Sequence, residues 1–125
     1  MDPSALNAYQ RNAILTATPA ELTLMLYEGA IKFCNMAGMA MEKEDFEKKN
    51  TFLKKAQAIV VELRSTLDHK YPVWEDFDRV YEFIYNQLVD ANINNDKESL
   101  ENALQYIREM RDTWKEVMRL NRQGG

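Results

Sequence analysis

The spacing of apolar residues predicts the class of fold. Apolar side chains recur every three or four residues along most of the chain, which is the period of an α-helix. Residues that interrupt regular structure are few, with only four glycines and three prolines in the sequence. The pattern therefore predicts an all-α protein built from long helices and without strands.

The first long helix has a clear start signal. Thr18 can accept a hydrogen bond from the first free amides, Pro19 has a backbone angle suited to the first turn, and Glu21 completes a capping box. The apolar period continues to about Glu42, where a polar stretch interrupts it. We therefore predict a helix over residues 18–42.

Three more helices are predicted after the first. The second covers about residues 45–67, since the apolar period resumes there. Pro72 separates it from a third helix that carries Trp74 near its start, because proline and the residue before it disfavour helical backbone. Asn95 or Asp96 can cap the fourth helix.

The lengths of these segments indicate their arrangement. Short connections make sequential helices reverse direction, so residues 18–123 are predicted to form one antiparallel, up-down four-helix bundle. A chain of 125 residues is the usual size for one domain. Residues 1–17 are predicted to form a short N-terminal arm or helix, set apart from the bundle.

The first helix carries two apolar stripes. The stripe predicted to face the core consists of Leu22, Met25, Leu26, Gly29, Phe33, Met36, Ala37 and Ala40. Roughly opposite lies a second stripe of Leu24, Tyr27, Ile31 and Cys34, where the outer face of a bundle should be polar. We therefore expect a partner protein, a second subunit or the N-terminal arm to cover the second stripe. The alternative is that the two faces are interchanged, or that the bundle encloses both.

Methionine is concentrated in the same helix. Met25, Met36, Met39 and Met41 all lie within the predicted first helix. Methionine adapts to apolar partners of varied shape, so this concentration is consistent with a binding surface, although methionine also fills irregular cores. It therefore adds some support for binding without locating the site.

Charge and composition exclude several classes of partner. Hydrophobic residues make up 46% and charged residues 29%, which is typical of a globular protein. The formal net charge of −4 disfavours nucleic acid and acidic membranes as partners. The sequence shows neither a basic start followed by an apolar run nor eighteen consecutive apolar residues, so we expect no membrane insertion and a cytoplasmic location. The single cysteine fits a reducing compartment.

The residues that usually carry catalysis are scarce. Cys34 and His69 are the only residues of their types, and they fall in different predicted elements. The carboxylates are scattered over helix surfaces, without the Glu-x-x-His pairs that a di-iron bundle requires. We therefore predict a protein that is not an enzyme and that uses no metal or cofactor. A thiol-dependent alternative would need Cys34 to be exposed with a lowered pKa.

Three sequence segments resemble a known family. They are NAYQRNAILTATPAELTLMLYEGAIKF near the start, ANINND before the predicted fourth helix, and RDTWKEVMRLNRQ at the end. Together with the Tyr9-Gln10 pair and Trp114, they resemble the FliS family of flagellar secretion chaperones in the same order along essentially the whole chain.

The resemblance implies a cytoplasmic chaperone. Members bind the disordered C-terminal segment of flagellin, prevent its premature polymerisation and help to present it to the export apparatus, and some contact other flagellar regulators. The client resembles an extended chain with short helical pieces wrapped around the bundle. Combined with the second stripe, the resemblance assigns flagellin binding to Tyr9, Gln10, Leu24, Tyr27, Ile31 and Cys34. A homo-oligomeric helical adaptor, with the second stripe as a homodimer surface, is the alternative.

Two expectations depend on this assignment of faces. Aspartate at both Tyr27 and Ile31 should abolish client binding and leave the fold intact, because the second stripe is taken to be exposed. The arm, residues 1–17, carries Leu6, Tyr9 and Ala13 at helical spacing and is expected to fold back over that stripe as a weak cover.

Overall fold

The helices predicted from the sequence are present. The structure, a computed structural model, describes residues 11–12 and 15–124, and this part of the chain contains no strand. The helices of the bundle are α1 (Pro19–Glu42), α2 (Phe46–Ser65), α3 (Trp74–Asn94) and α4 (Lys97–Gly124). The prediction of an all-α four-helix protein is confirmed. The arm predicted over residues 1–17 lies largely outside the described residues.

The helices pack as a square in chain order. α1 packs against α2 and α4, and α3 packs against the same two helices. A Cβ added to Gly38, late in α1, would lie 3.6 Å from Leu100 near the start of α4, and the Trp114 indole late in α4 donates to the Ala20 carbonyl at 2.9 Å. α1 and α4 therefore run antiparallel, as short loops between neighbouring helices require.

Local side-chain chemistry fixes the helix ends. The Thr18 hydroxyl accepts from the Glu21 amide at 3.1 Å, and the Glu21 carboxylate accepts from the Thr18 amide at 3.4 Å, so the predicted capping box is present. Asp96, one of the two predicted caps, accepts from two amides in the first turn of α4. Its neighbour Asn95 adopts a left-handed conformation (φ 51°) and ends α3 instead.

The core is built from side chains of all the helices. Tyr27 of α1 and Tyr81 of α3 are both buried, and their hydroxyls hydrogen-bond to each other across the diagonal of the bundle. The largest fully buried side chains are Leu53, Leu63, Ile84, Leu88, Ile107, Val60 and Cys34. α1 also contributes the small buried residues Ala30 and Ala37. These small side chains allow the neighbouring helices to approach closely.

A buried lysine joins the start of α2 to the end of α3. The Lys49 ammonium donates to the Asn92 carbonyl at 2.8 Å and to the side-chain oxygen of Asn95, and it lies 5.4 Å from the centre of the Phe46 ring. The cation therefore satisfies a carbonyl in the last turn of α3 and interacts favourably with the negative end of that helix. This contact ties the first turns of α2 to the end of α3.

Replacing this lysine should weaken the fold. Lys49→Met keeps most of the aliphatic stem but leaves the Asn92 and Asn95 oxygens without their donor, so we expect the free energy of unfolding to fall by about 2 kcal/mol. Urea denaturation measures the change. Lys54→Met, on an exposed part of α2, is the matched control and should have little effect. Equal stability of the two variants would contradict the role given to Lys49.

Candidate functional site

The second stripe predicted on the first helix lies in the core. Tyr27 is 3% exposed, Ile31 is 9% exposed and Cys34 is 1% exposed. The prediction that these residues form an exposed surface is therefore wrong. Tyr27 points towards α3, because its hydroxyl hydrogen-bonds to that of Tyr81. The burial of these residues removes the reason for assigning them to a partner surface.

The other predicted client contacts lie at the edge of the bundle or beyond the described residues. Leu24 is half-buried. It lies one turn after Ala20, whose carbonyl accepts the Trp114 hydrogen bond, and is therefore next to α4. Tyr9 and Gln10 lie outside the described residues. Client binding by these residues stays a prediction.

The stripe predicted to face the core is instead partly exposed. Leu22 and Met25 are exposed, and Leu26, Phe33 and Met36 are half-buried. The smallest members of the stripe, Ala37 and Ala40, are buried as predicted. The two faces of α1 were therefore interchanged for the bulky residues, as the alternative in the sequence analysis allowed.

The reason is the size of the side chains that α1 uses in the core. Its buried positions Tyr27, Ala30, Cys34, Ala37 and Met41 follow each other at spacings of three and four. The small residues among them, Ala30, Cys34 and Ala37, bring α1 close to the other helices, because close-packed cores need complementary volumes rather than the largest side chains. The bulkier Phe33, Met36 and Met39 lie at the seam between α1 and α2.

The seam forms an apolar groove. The Phe33 and Phe52 rings stack with their centres 6.3 Å apart, and a methyl group on Gly29 would lie 3.3 Å from Cδ1 of Ile59. The α1–α2 groove is defined here by Met25, Gly29, Phe33, Met36, Met39, Phe52 and Ile59. Its partly exposed side chains can take up apolar groups of a partner.

The groove deepens where α1 turns into α2. A cavity of about 220 Å³ lies at this end, open to solvent. Its lining, called the hairpin pocket here, consists of Met36, Met39, Ala40, Lys43, Asp45, Lys48 and Phe52. Three of its members are charged, whereas the floor is apolar. The pocket suits an apolar side chain flanked by polar or charged groups.

The thiol-enzyme alternative is tested by the surroundings of Cys34. Burial raises the pKa of Cys34 to about 12, so its thiol is protonated near neutral pH and does not meet the requirement of the thiol-enzyme alternative. His69 stacks on Trp74 in the loop after α2, with ring centres 3.9 Å apart. Within residues 11–12 and 15–124, no group of His, Cys, Asp and Glu side chains could hold a metal ion.

Across the same residues, no helix combines the length and apolar character needed to span a membrane.

Comparison with known proteins decides the family. A family model described as flagellar protein FliS matches residues 2–121. The chain belongs to the FliS family. The flagellar secretion chaperone FliS of Bacillus subtilis is 44% identical over 115 residues, which cover 92% of this chain and 86% of that protein. FliS of Campylobacter jejuni is 32% identical over 115 residues, covering 90% of each chain.

A solved structure supports the fold of this FliS family member. The crystal structure of a flagellar chaperone from bacteria superposes with a TM-score of 0.74 at 18% identity. The superposition covers 92% of this chain and 98% of that chain. At this identity the likeness concerns the fold, and it agrees with the helical bundle described above.

Sequence reasoning missed the α1–α2 groove as a site. The available signal was the concentration of methionines in α1, of which Met25, Met36 and Met39 line the groove. The lysines of the hairpin pocket gave no signal, because lysines at a helix end are usually solvated. The packing of α2 against α1 places these lysines beside an apolar floor, because Met36 and Phe52 come from different helices.

Proposed function

We propose that this protein is a cytoplasmic secretion chaperone that holds the disordered C-terminal segment of flagellin in the α1–α2 groove. There it would prevent premature polymerisation and help to deliver flagellin to the export apparatus. The observation that carries the proposal is the partly exposed apolar groove on α1, which the bundle itself leaves open. Membership of the FliS family, whose relatives are named flagellar secretion chaperones, supports the choice of client.

The chemistry of the groove suits such a client. A disordered segment that becomes amphipathic when it folds would otherwise expose its apolar face and associate with other copies. The α1–α2 groove offers methionine and aromatic side chains to that face, and Met36 and Met39 can adjust to several client side chains in turn. Binding and release are then the whole activity, without a chemical step.

Titration tests the proposed function directly. The full chain is titrated calorimetrically with a peptide of the flagellin C-terminal segment from its own organism, and light scattering follows the mass of the complex. We expect saturable binding of one peptide per chain, and no binding of a peptide with the same composition in scrambled order. Absence of saturable binding by the native segment would show that the client is not flagellin.

Charges placed in the groove should prevent this binding. Met36→Glu combined with Met39→Glu removes two apolar contacts and places carboxylates where the client's apolar face would lie, so the affinity should fall by about tenfold or more. Ile93→Glu, at a 73% exposed apolar position on α3, is the matched control and should bind normally. Circular dichroism checks that all variants keep their helices. Normal binding by the groove variant would place the client elsewhere.

A further inference from the structure

Lysine side chains surround the hairpin end of the α1–α2 groove. Lys43 and Lys48 line the hairpin pocket itself. The Lys55 ammonium lies 5.4 Å from the centre of the Phe33 ring, further along the groove. Lys32 is exposed one turn before Met36 on α1. These four positive charges flank an apolar floor, although the chain as a whole has a net charge of −4.

The dipole of α2 does not explain the position of Lys48, whereas Lys43 follows the C-terminus of α1, where a cation is favourable. Lys48 lies in the first turn of α2, where the partial positive charge of a helix N-terminus disfavours a cation. Its ion pair with Asp45 is weak, because the atoms are 3.9 Å apart and the side chains are 71% and 39% exposed. Across residues 15–124, no carboxylate forms a salt bridge with Lys43 or Lys55.

The acidic residues near the pocket do not cancel this charge. Asp45 is the only carboxylate in the described lining, and it accepts a hydrogen bond from the Lys48 amide at 3.1 Å as the N-cap of α2. Its negative charge therefore compensates the N-terminus of α2. Glu42, Glu44 and Glu47 are close in sequence but are absent from the pocket lining. The described lining therefore holds two lysines and one carboxylate, an excess of one positive charge.

We propose that the hairpin pocket and its lysines select an acidic amphipathic helix of the client, in which carboxylates flank an apolar side chain that enters the pocket. The inference rests on the proposed function, because it names the part of the client that this end of the groove takes. Lys32 within α1 and Lys43 at its C-cap are about 16 Å apart along the helix axis, so the bound segment would have about three helical turns. Carboxylates at both ends of the client segment, facing Lys32 and Lys43, would also fix its position along the groove.

Two designed peptides test the charge preference. Both have about 12 residues and one apolar face with a central leucine, and they differ only in carrying glutamate or glutamine on the flanks, two residues of similar helix propensity. Fluorescence anisotropy measures their binding to the full chain. We expect the glutamate peptide to bind about five- to tenfold more tightly in about 50 mM salt and the difference to shrink below about twofold in about 500 mM salt. Equal affinities, or no binding of either peptide, would overturn the proposal.

Lysine variants locate the effect. Lys43→Gln with Lys48→Gln should remove most of the preference for glutamate and leave the affinity for the glutamine peptide nearly unchanged. Lys54→Gln with Lys70→Gln changes the net charge equally at exposed positions outside the described pocket lining, so that variant should keep the preference. An equal loss in both variants would show that net charge, rather than the pocket, causes the effect.

The flagellin titration separates this inference from the proposed function. If the flagellin segment binds while the designed peptides show no charge preference, the inference is wrong and the chaperone role stands. If the glutamate peptide binds in a lysine-dependent way while the flagellin segment does not bind, the proposed function is wrong, and the pocket takes an acidic helix from another protein.

Discussion

Ile31→Asp should unfold this protein, whereas Met39→Asp on the same helix should leave it folded. Ile31 is 9% exposed within the core and Met39 is 57% exposed at the groove. A carboxylate without a partner in the core costs several kcal/mol, which is comparable with the whole stability of a small domain, about 5–15 kcal/mol. At Met39 the new charge stays in water, so the change should be within about 0.5 kcal/mol.

Far-ultraviolet circular dichroism and urea denaturation distinguish the two outcomes. Ile31→Asp should lose cooperative unfolding at room temperature, and Met39→Asp should unfold at nearly the wild-type midpoint. The result also tests the expectation drawn from the sequence, that aspartate at Tyr27 and Ile31 would leave the fold intact. A folded Ile31→Asp variant would mean that α1 presents its other face to the core.

Alkaline solution should destabilise the protein through its buried thiol and phenols. Burial raises the pKa of Cys34 from an ordinary 9.0 to about 12, and it also raises the pKa values of Tyr27 and Tyr81 above 10.0. The folded state therefore holds these protons more tightly than the unfolded chain. Their contribution to stability is complete below about pH 9 and is lost as the pH rises above it, first through the thiol and then through the phenols.

Urea denaturation at pH 8 and at pH 10.5 measures this loss. The free energy of unfolding should fall by about 3 kcal/mol between the two values, with about 2 kcal/mol of that from Cys34. Cys34→Ala should therefore be much less sensitive to the change, and Tyr81→Phe slightly less sensitive than the wild type. If Cys34→Ala lost as much stability as the wild type, the thiol would not be the main group involved.

The helix ends could be predicted because their causes are local. Thr18 and Glu21 form the predicted capping box, and Asp96 caps α4 within its own first turn. Such contacts join residues only a few positions apart, so the sequence contains all of the information they need. The predicted end of α2 was less accurate. The helix stops at Ser65 rather than near residue 67, because helix ends without a strong stop signal fray.

The orientation of α1 could not be predicted in the same way. Apolar residues occur almost all round this helix, so their pattern alone does not say which side faces the core. The decision depends on contacts with other helices, such as Tyr27 with Tyr81 and Gly29 beside Ile59. The hairpin pocket depends on the same packing, because its apolar residues Met36 and Phe52 belong to different helices.

The burial of Cys34 allows its thiol to report local opening of the bundle. It is the only cysteine in the chain, and its thiol lies in the core with 1% exposure. A thiol-reactive dye can label it only during moments when α1 separates from α3 and α4. The labelling rate therefore gives the frequency of that separation in native buffer. A client held in the outer groove, which leaves the thiol untouched, would change the rate only by altering those motions.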